Sequence, residues 1–130
     1  LHWMVHSFPT RRSSDLTAIR DYLHVEDLAL GHIHALEYVR NQPKGFTDAV
    51  NLGSGKGHSV LEVIQTAEKL LGKPIEQHRR PPRPGDPPRL VASIEKASKL
   101  LGWRPAKDLE TILRSQLEWE KRRSCAMKSA

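Results

Sequence analysis

A charged and aromatic stretch that runs straight into a helical pattern is the feature that most restricts how this chain can fold. Residues 20–29 read RDYLHVEDLA, and apolar residues then recur at helical spacing as far as Arg40. This pattern predicts a helix over residues 26–40. Its buried face is predicted to consist of Leu28, His32, Ala35, Leu36 and Val39.

A second helix has the clearest local signals. Ser59 and Glu62 have the spacing of a capping box, and Gly72 is placed to end the helix in a left-handed conformation. Short strands are predicted on either side of this helix, over residues 49–52 and 74–77. An edge strand of a sheet that the chain does not complete would expose its backbone donors and acceptors.

The glycine-rich loop at residues 53–57 (GSGKG) does not match a phosphate-binding signature. A P-loop needs Ser or Thr directly after its lysine, whereas Lys56 is followed by Gly57. The dinucleotide fingerprint needs glycine where His58 stands. We therefore interpret the loop as a tight turn that leads into the helix capped by Ser59.

Two further helices are predicted in the last third of the chain. Ser93 is placed to cap a short helix that runs through Leu101 and stops at Gly102. Asp108 is placed to cap the last helix, and fraying is expected beyond Arg123. The predicted buried residues of this last helix are Leu109, Ile112, Leu113 and Leu117.

The positive charge of the chain leaves more than one kind of partner open. The formal net charge is +6, and part of it lies in a proline-rich segment in which Asp86 is the only acid. Such a field attracts polyanions, so a small basic module that binds nucleic acid or an acidic partner is one alternative, and a solvated basic loop is another. The arginines have no interleaved aromatic residues to stack on bases, so an anion of diphosphate size suits them better than a nucleic acid. These arginines are Arg79, Arg80, Arg83 and Arg89.

Three ordered motifs carry a family resemblance. They are RDYLHVEDLA at residues 20–29, NLGSGKGHS at residues 51–59, and RPGD at residues 83–86, which is followed by LGW at residues 101–103. In this order they resemble nucleotide-sugar epimerases and dehydratases of the extended short-chain dehydrogenase family, most of all those that epimerise UDP-hexoses at C4. A nucleotide-sugar dehydratase, decarboxylase or uronate epimerase is the alternative within that family.

The resemblance implies an incomplete α/β fold. It covers residues 17–122, which correspond to the carboxyl-terminal third of such an enzyme. We therefore expect the substrate-binding part of an extended short-chain dehydrogenase fold, mostly helical with a few short strands and without its Rossmann half. The expected division is a C-terminal UDP-sugar-binding region over residues 17–123 and a frayed tail over residues 124–130.

The same resemblance implies four substrate-binding residues. It places Arg20 and Arg83 at the diphosphate of a UDP-sugar, since a guanidinium offers paired donors to phosphate oxygens. It places Tyr22 in the wall of the site and Asp86 at a ribose hydroxyl, from which a carboxylate can accept a hydrogen bond.

Two departures from the family's pattern bear on the pocket. Leu90 stands where an aromatic residue often lines the nucleotide pocket, and Ser93 stands where the family usually has aspartate. The choice of sugar therefore cannot be carried over from the resemblance.

The implied reaction interconverts UDP-glucose and UDP-galactose with the help of NAD, which the missing N-terminal domain would bind. The family's catalytic base is the tyrosine of a Tyr-x-x-x-Lys pair, but Glu26 follows Tyr22 at that spacing and Gln42 follows Tyr38. We expect no catalytic or cofactor-binding residue in this chain and no activity from it alone. The full-length enzyme is expected to be a homodimer.

The first sixteen residues (LHWMVHSFPTRRSSDL) are set apart from this scheme. They resemble a translated sequencing adaptor, and they lack the continuous apolar run of a signal peptide. No segment is apolar enough to cross a membrane, and the single Cys125 fits a cytoplasmic protein. No metal site is expected, because His32 and His34 point in different directions on a helix and His32 is expected to be a hydrogen-bonded core histidine.

Overall fold

Four helices and three short strands make up the described part of the chain. The structure is a computed structural model, and it describes residues 17–77 and 85–126. The mostly helical α/β character expected from the sequence is confirmed. In chain order the elements are β1 (Ile19–Asp21), α1 (Val25–Arg40), β2 (Gly57–Ser59), α2 (Val60–Leu71), β3 (Arg89–Leu90), α3 (Glu95–Leu101) and α4 (Leu109–Ala126).

The three strands form one sheet with β1 in the middle. β1 pairs antiparallel with β2, where Arg20 lies opposite His58. It pairs parallel with β3, where Arg20 lies opposite Leu90. The sheet therefore brings the first motif of the chain beside both the glycine loop and the segment that follows the proline-rich stretch.

The start and end of α2 are as predicted. The Ser59 hydroxyl accepts from the Glu62 amide at 3.1 Å, and the Glu62 carboxylate accepts from the Ser59 amide at 2.7 Å. These two bonds form the predicted capping box. Gly72 ends the helix with φ of 67°, in the left-handed region where a side chain would be strained.

The cap of α4 is also confirmed. The Asp108 carboxylate accepts from the Thr111 amide at 2.9 Å. The helix extends to Ala126, and the fraying expected beyond Arg123 stays a prediction. Among the described residues, no helix has both the length and the apolar content needed to cross a membrane.

The predicted cap of α3 was wrong. The residue that precedes the helix is Ile94, and no side chain caps it. The first turn closes through the backbone instead, with the Ser98 amide donating to the Ile94 carbonyl at 2.9 Å. Ser93 therefore lies one residue too early to act as the cap, whereas Gly102 ends the helix at φ of 62° as predicted.

Neither of the two predicted strands beside α2 is present. Residues 49–52 pair with no strand among the described residues, although Val50 and Leu52 pack against the core. Residues 74–77 are also irregular, and the Ile75 amide donates to the Glu68 carboxylate at 2.9 Å rather than to a neighbouring strand. Val50, Leu52 and Ile75 are partly buried, although neither segment pairs in the sheet.

The core lies between α1 and α3. Its buried residues are Ala97, Leu101 and Trp103. A Cβ atom at Gly31 would lie 2.8 Å from the Leu52 side chain and 3.2 Å from that of Trp103, so the absence of a side chain there lets α1 approach closely.

The buried face predicted for α1 was wrong at four of its five residues. Leu28, Leu36 and Val39 are all exposed, as is His32, whereas Ala35 is partly buried against the core. The buried residues of the helix are Asp27 and Gly31, because the core meets the helix on that side.

Candidate functional site

Arg20, in the middle of β1, is held by three acceptors. Its Nη1 atom donates to the carbonyl oxygens of Ile19 and Pro87, each at 2.9 Å. Its Nη2 atom donates to the Asp86 carboxylate at 2.6 Å. Two of the four predicted site residues, Arg20 and Asp86, are therefore in direct contact although 66 residues separate them.

This ion pair is only partly shielded from solvent. The Arg20 side chain is 26% exposed and that of Asp86 is 31% exposed. Solvent screens an ion pair that is exposed to this degree, so the Arg20–Asp86 pair adds little to the free energy of unfolding. Its main effect is to hold the turn at residues 85–88 against β1. The backbone of that turn passes through Gly85, whose φ is 83°.

Arg20 and Tyr22 line different hollows. Arg20 contributes to a hollow of about 370 Å³, and Tyr22 contributes to a separate cleft of about 410 Å³. The pKa of the Tyr22 phenol is raised by burial, an effect that the positive charge of Arg20 opposes. The Arg20 charge thus affects the Tyr22 phenol, although the two residues line different hollows. The basic residues around the Tyr22 cleft are Lys56, His58, Lys69 and Lys107.

The fourth predicted site residue, Arg83, lies outside the described residues, as do the other residues from 78 to 84 in the first part of the proline-rich segment. Leu90 and Ser93, the two departures from the family's pattern, both line the Arg20 hollow. The Leu90 side chain is exposed there, so an aliphatic group takes the place of an aromatic one.

Asp21 is a residue that sequence reasoning missed. Its carboxylate accepts from the Ser54 amide at 2.7 Å, the Ala92 amide at 3.0 Å and the Gly55 amide at 3.2 Å, and from the Ser54 hydroxyl at 2.5 Å. Burial alone would raise the pKa of Asp21, but these hydrogen bonds from Ser54, Ala92 and Gly55 together hold it below its ordinary value. The sequence offered no signal for these contacts, because the strand that contains Asp21 was not predicted.

The contacts of Asp21 explain the glycine loop. A Cβ atom at Gly53 would lie 2.6 Å from both the Asp21 carboxylate and the Ala92 side chain, so the loop and the carboxylate fit tightly together. The amides of Ser54 and Gly55, which could bind a phosphate, donate to the Asp21 carboxylate instead. The described residues therefore do not fit a dinucleotide, and the interpretation of the loop as a structural turn agrees with its contacts.

Asp27 is a second missed carboxylate. It is 2% exposed, and its Oδ2 atom accepts from the amides of Ala106 at 3.1 Å and Lys107 at 2.9 Å. Its carbonyl oxygen accepts from the Trp103 indole at 3.0 Å. In the sequence, the helix dipole is enough to account for an acidic residue in the first turn of α1. The contacts of Asp27 could therefore not be predicted.

His24 joins α1 to α4. Its Nδ1 atom accepts from the Glu26 amide at 3.1 Å, and its Nε2 atom lies 2.9 Å from the Ser115 hydroxyl. Because Nδ1 accepts a hydrogen bond, the ring proton belongs on Nε2 and is donated to Ser115. This arrangement makes His24 a capping residue of α1.

The two histidines of α1 have separate partners. His32 Nδ1 lies 2.8 Å from the Leu28 carbonyl on the exposed side of the helix, so the prediction of a core histidine was wrong. His34 Nδ1 lies 2.9 Å from the Leu101 carbonyl at the end of α3. In the part of the chain that the structure describes, no group of three metal-binding side chains is present.

Comparison with known proteins gives the class of this chain. The model of the GDP-mannose 4,6 dehydratase family matches residues 8–116, and the chain belongs to that family. Its architecture is part of an extended short-chain dehydrogenase fold. The match begins at residue 8, inside the segment that resembles an adaptor.

Proteins similar to this chain include UDP-glucose 4-epimerases. The chain is 46% identical over 114 residues to that of Cyamopsis tetragonoloba, covering 88% of this chain and 31% of the relative. The structure of the enzyme from Bifidobacterium longum in complex with NAD+ and UDP is 40% identical, with a TM-score of 0.77, and is matched over 85% of this chain and 32% of that one. The structure from Stenotrophomonas maltophila, with NAD and formylated UDP-arabinopyranose, is 39% identical, with a TM-score of 0.80 and coverage of 92% and 34%.

The family resemblance drawn from the three motifs is thereby confirmed. The chain spans about a third of the length of the relatives it matches.

Proposed function

We propose that this chain is the UDP-sugar-binding part of a UDP-glucose 4-epimerase, an enzyme that interconverts UDP-glucose and UDP-galactose with NAD. In this proposal the binding region is residues 17–123. Support comes from the relatives, which are 4-epimerases at 46% identity, and from a similar structure whose crystals contained NAD+ and UDP. The whole enzyme would be a cytoplasmic homodimer.

The observation that carries the proposal is the contact between Arg20 and Asp86. It brings the strand that contains the first motif to the turn that contains the third, over a sheet that also touches the second. An arginine and an aspartate at one edge suit a nucleoside diphosphate, which offers phosphate oxygens to the cation and ribose hydroxyls to the carboxylate.

Each proposed contact uses a different property of its side chain. Arg20 would donate to the diphosphate, and Arg83 would add a second guanidinium. Asp86 would accept from a ribose hydroxyl while it holds Arg20 in place. Tyr22 would wall the site from the neighbouring cleft.

The chemistry at the sugar would depend on the part of the enzyme that this chain does not span. NAD supplies the hydride acceptor in such a reaction, and the described residues do not fit it because the loop amides bind Asp21. Glu26 and Gln42 stand where a catalytic lysine would follow Tyr22 and Tyr38. We therefore expect the purified chain alone not to epimerise UDP-galactose, and turnover by it would contradict this.

Nucleotide binding by the purified chain tests the proposal. We expect heat release on titration with UDP and a weaker response to GDP, the nucleotide named in the family description. Arg20→Met should abolish the UDP response, because it removes the donor nearest Asp86. Arg114→Met is the matched control, since Arg114 pairs with Glu110 at 2.6 Å on an exposed face of α4.

Loss of folding must be separated from loss of binding. Arg20→Lys keeps the charge but not the paired donors, and circular dichroism would report whether either Arg20 variant keeps the wild-type helix content. A folded Arg20→Met variant that binds UDP as well as the wild type does would overturn the proposal. Salt-sensitive binding to random duplex DNA with no response to UDP would favour a basic nucleic-acid-binding module instead.

A further inference from the structure

The Tyr22 cleft is a second place where this chain presents positive charge to solvent. Its volume of about 410 Å³ is within the range of pockets that bind small molecules. Three parts of the fold border it, namely the glycine loop, α2 and the segment that leads into α4. Arg20 lines the other hollow, so the diphosphate contact proposed for Arg20 leaves this cleft unused.

The charges on the wall of the cleft do not all have partners. Lys56 and Lys69 form no ion pair with any residue that the structure describes. Their ammonium groups outnumber the one acid without a cation partner, Asp108, whose carboxylate caps α4. The remaining charges of the wall are compensated or lie beside an acid, as Lys107 with Glu26, Glu110 with Arg114, and His58 at 3.6 Å from Glu62.

The rest of the wall offers a neutral donor and an apolar surface. The Tyr22 phenol makes no hydrogen bond with another described residue. Because burial raises the pKa of this phenol, it remains an O–H donor at neutral pH. Pro105 and Leu109 add an apolar part to the lining.

We propose that the Tyr22 cleft binds the phosphoryl group of a small phosphorylated molecule, with Lys56 and Lys69 as cationic contacts and Tyr22 as a neutral donor. A lysine ammonium is a compact charge that binds phosphate from any direction, whereas the planar fork of arginine favours paired contacts. A bare phosphate ion would leave much of the cleft empty, and Pro105 and Leu109 offer a surface to an organic portion. This site is separate from the proposed UDP site and does not depend on it.

Titration of the 130-residue chain tests the proposal by nuclear magnetic resonance of its backbone amides. The probes are glycerol 3-phosphate, inorganic phosphate and glycerol. We expect saturable shifts at Lys56, at His58 and over residues 105–110, with glycerol 3-phosphate binding more tightly than phosphate and glycerol causing none. Sodium chloride should weaken the binding, because the two lysines are exposed and salt screens exposed charges.

Lysine substitutions test which charges bind the phosphoryl group. Lys56→Met and Lys69→Met should each weaken the affinity for glycerol 3-phosphate by roughly threefold to fivefold, as expected for one exposed charge pair. Lys99→Met is the matched control, because Lys99 is exposed on α3, has no ion pair among the described residues and does not line the cleft. Circular dichroism would confirm that all three variants keep the wild-type helix content.

Several results would overturn the proposal. Shifts that do not saturate, or an equal loss of affinity in all three lysine variants, would show only a general attraction of anions to a basic protein. Tighter binding of inorganic phosphate than of glycerol 3-phosphate would exclude a phosphate ester as the preferred ligand.

Competition with UDP separates this inference from the proposed function. Saturating UDP should not displace glycerol 3-phosphate, and displacement would show that the cleft is not a second site. A chain that binds glycerol 3-phosphate as expected but does not bind UDP would contradict only the proposed function.

Discussion

At the scale of single residues, β1 contains two opposite charges next to each other, at Arg20 and Asp21. Arg20 reaches Pro87 and Asp86, whereas Asp21 reaches the glycine loop and Ala92. The two neighbouring charges therefore have separate sets of partners, although both residues line the same hollow.

Replacing Asp21 tests that second role. Asp21→Asn puts a donor into a carboxylate site to which three amides and a hydroxyl donate, so we expect the free energy of unfolding to fall by about 1–3 kcal/mol, the cost of leaving a donor without its acceptor. Chemical denaturation at neutral pH measures the change. Glu118→Gln, an exposed change on α4, is the control and should have little effect.

The lowered pKa of Asp21 predicts that the free energy of unfolding depends on pH, and Asp21→Asn tests this as well. Because the folded-state pKa of Asp21 lies below its ordinary value of 3.8, the unfolded chain takes up the proton first as the pH falls. The contribution of Asp21 is therefore complete above pH 3.8 and is lost as the pH falls through the lower folded-state pKa. Asp21→Asn should lose less stability than the wild type does over that acid range. Parallel curves for the two proteins would contradict the prediction.

At the scale of elements, polar side chains add to the apolar core in joining parts of the fold. Asp27 holds the segment before α4 to α1, and His24 holds Ser115 of α4. Lys96 of α3 pairs with Asp48 and donates to the Ala49 carbonyl at 2.8 Å in exposed contacts. The position of α4 against α1 therefore depends in part on buried or partly buried polar contacts.

Asp27→Ala should be strongly destabilising. It leaves the amides of Ala106 and Lys107 without their acceptor at a buried site, which we expect to cost about 2–5 kcal/mol of unfolding free energy. Glu26→Ala is the matched control, because Glu26 is the adjacent acid and contacts Lys107 at 2.9 Å from an exposed position. Equal effects of the two substitutions, measured by thermal unfolding, would show that Asp27 has no special role.

At the scale of the whole molecule, the sequence predicted what depends on near neighbours. The cap at Ser59, the stop at Gly72 and the cap at Asp108 follow from residues three or four positions away, and all three are confirmed. The approach of Arg20 to Asp86 followed only from the family resemblance.

What failed depends on distant parts of the chain. The strand predicted at residues 49–52 needed a partner strand, and the buried face of α1 depended on which side the core occupies. The roles of Asp21 and Asp27 depend on backbone amides 33 to 80 residues away, for which no side-chain pattern exists.

The first sixteen residues are proposed to contribute nothing to folding. A chain that begins at Thr17 should keep the wild-type melting temperature, because the Thr17 hydroxyl still accepts from the Leu61 amide at 3.3 Å. A chain that begins at Val25 is the control and should lose cooperative unfolding, since β1 and the cap at His24 are removed. A marked loss of stability in the first variant would show that residues 8–16, which the family match includes, belong to the fold.

Because β1 is short, insertions and deletions near it are restricted in the genes for such chains. One codon gained or lost ahead of Arg20 would shift the register of β1 and exchange the sides to which the Arg20 and Asp21 side chains point. The mostly exposed residues 41–48 have no such constraint. We therefore expect insertions and deletions among homologous genes to accumulate there and to be purged from β1.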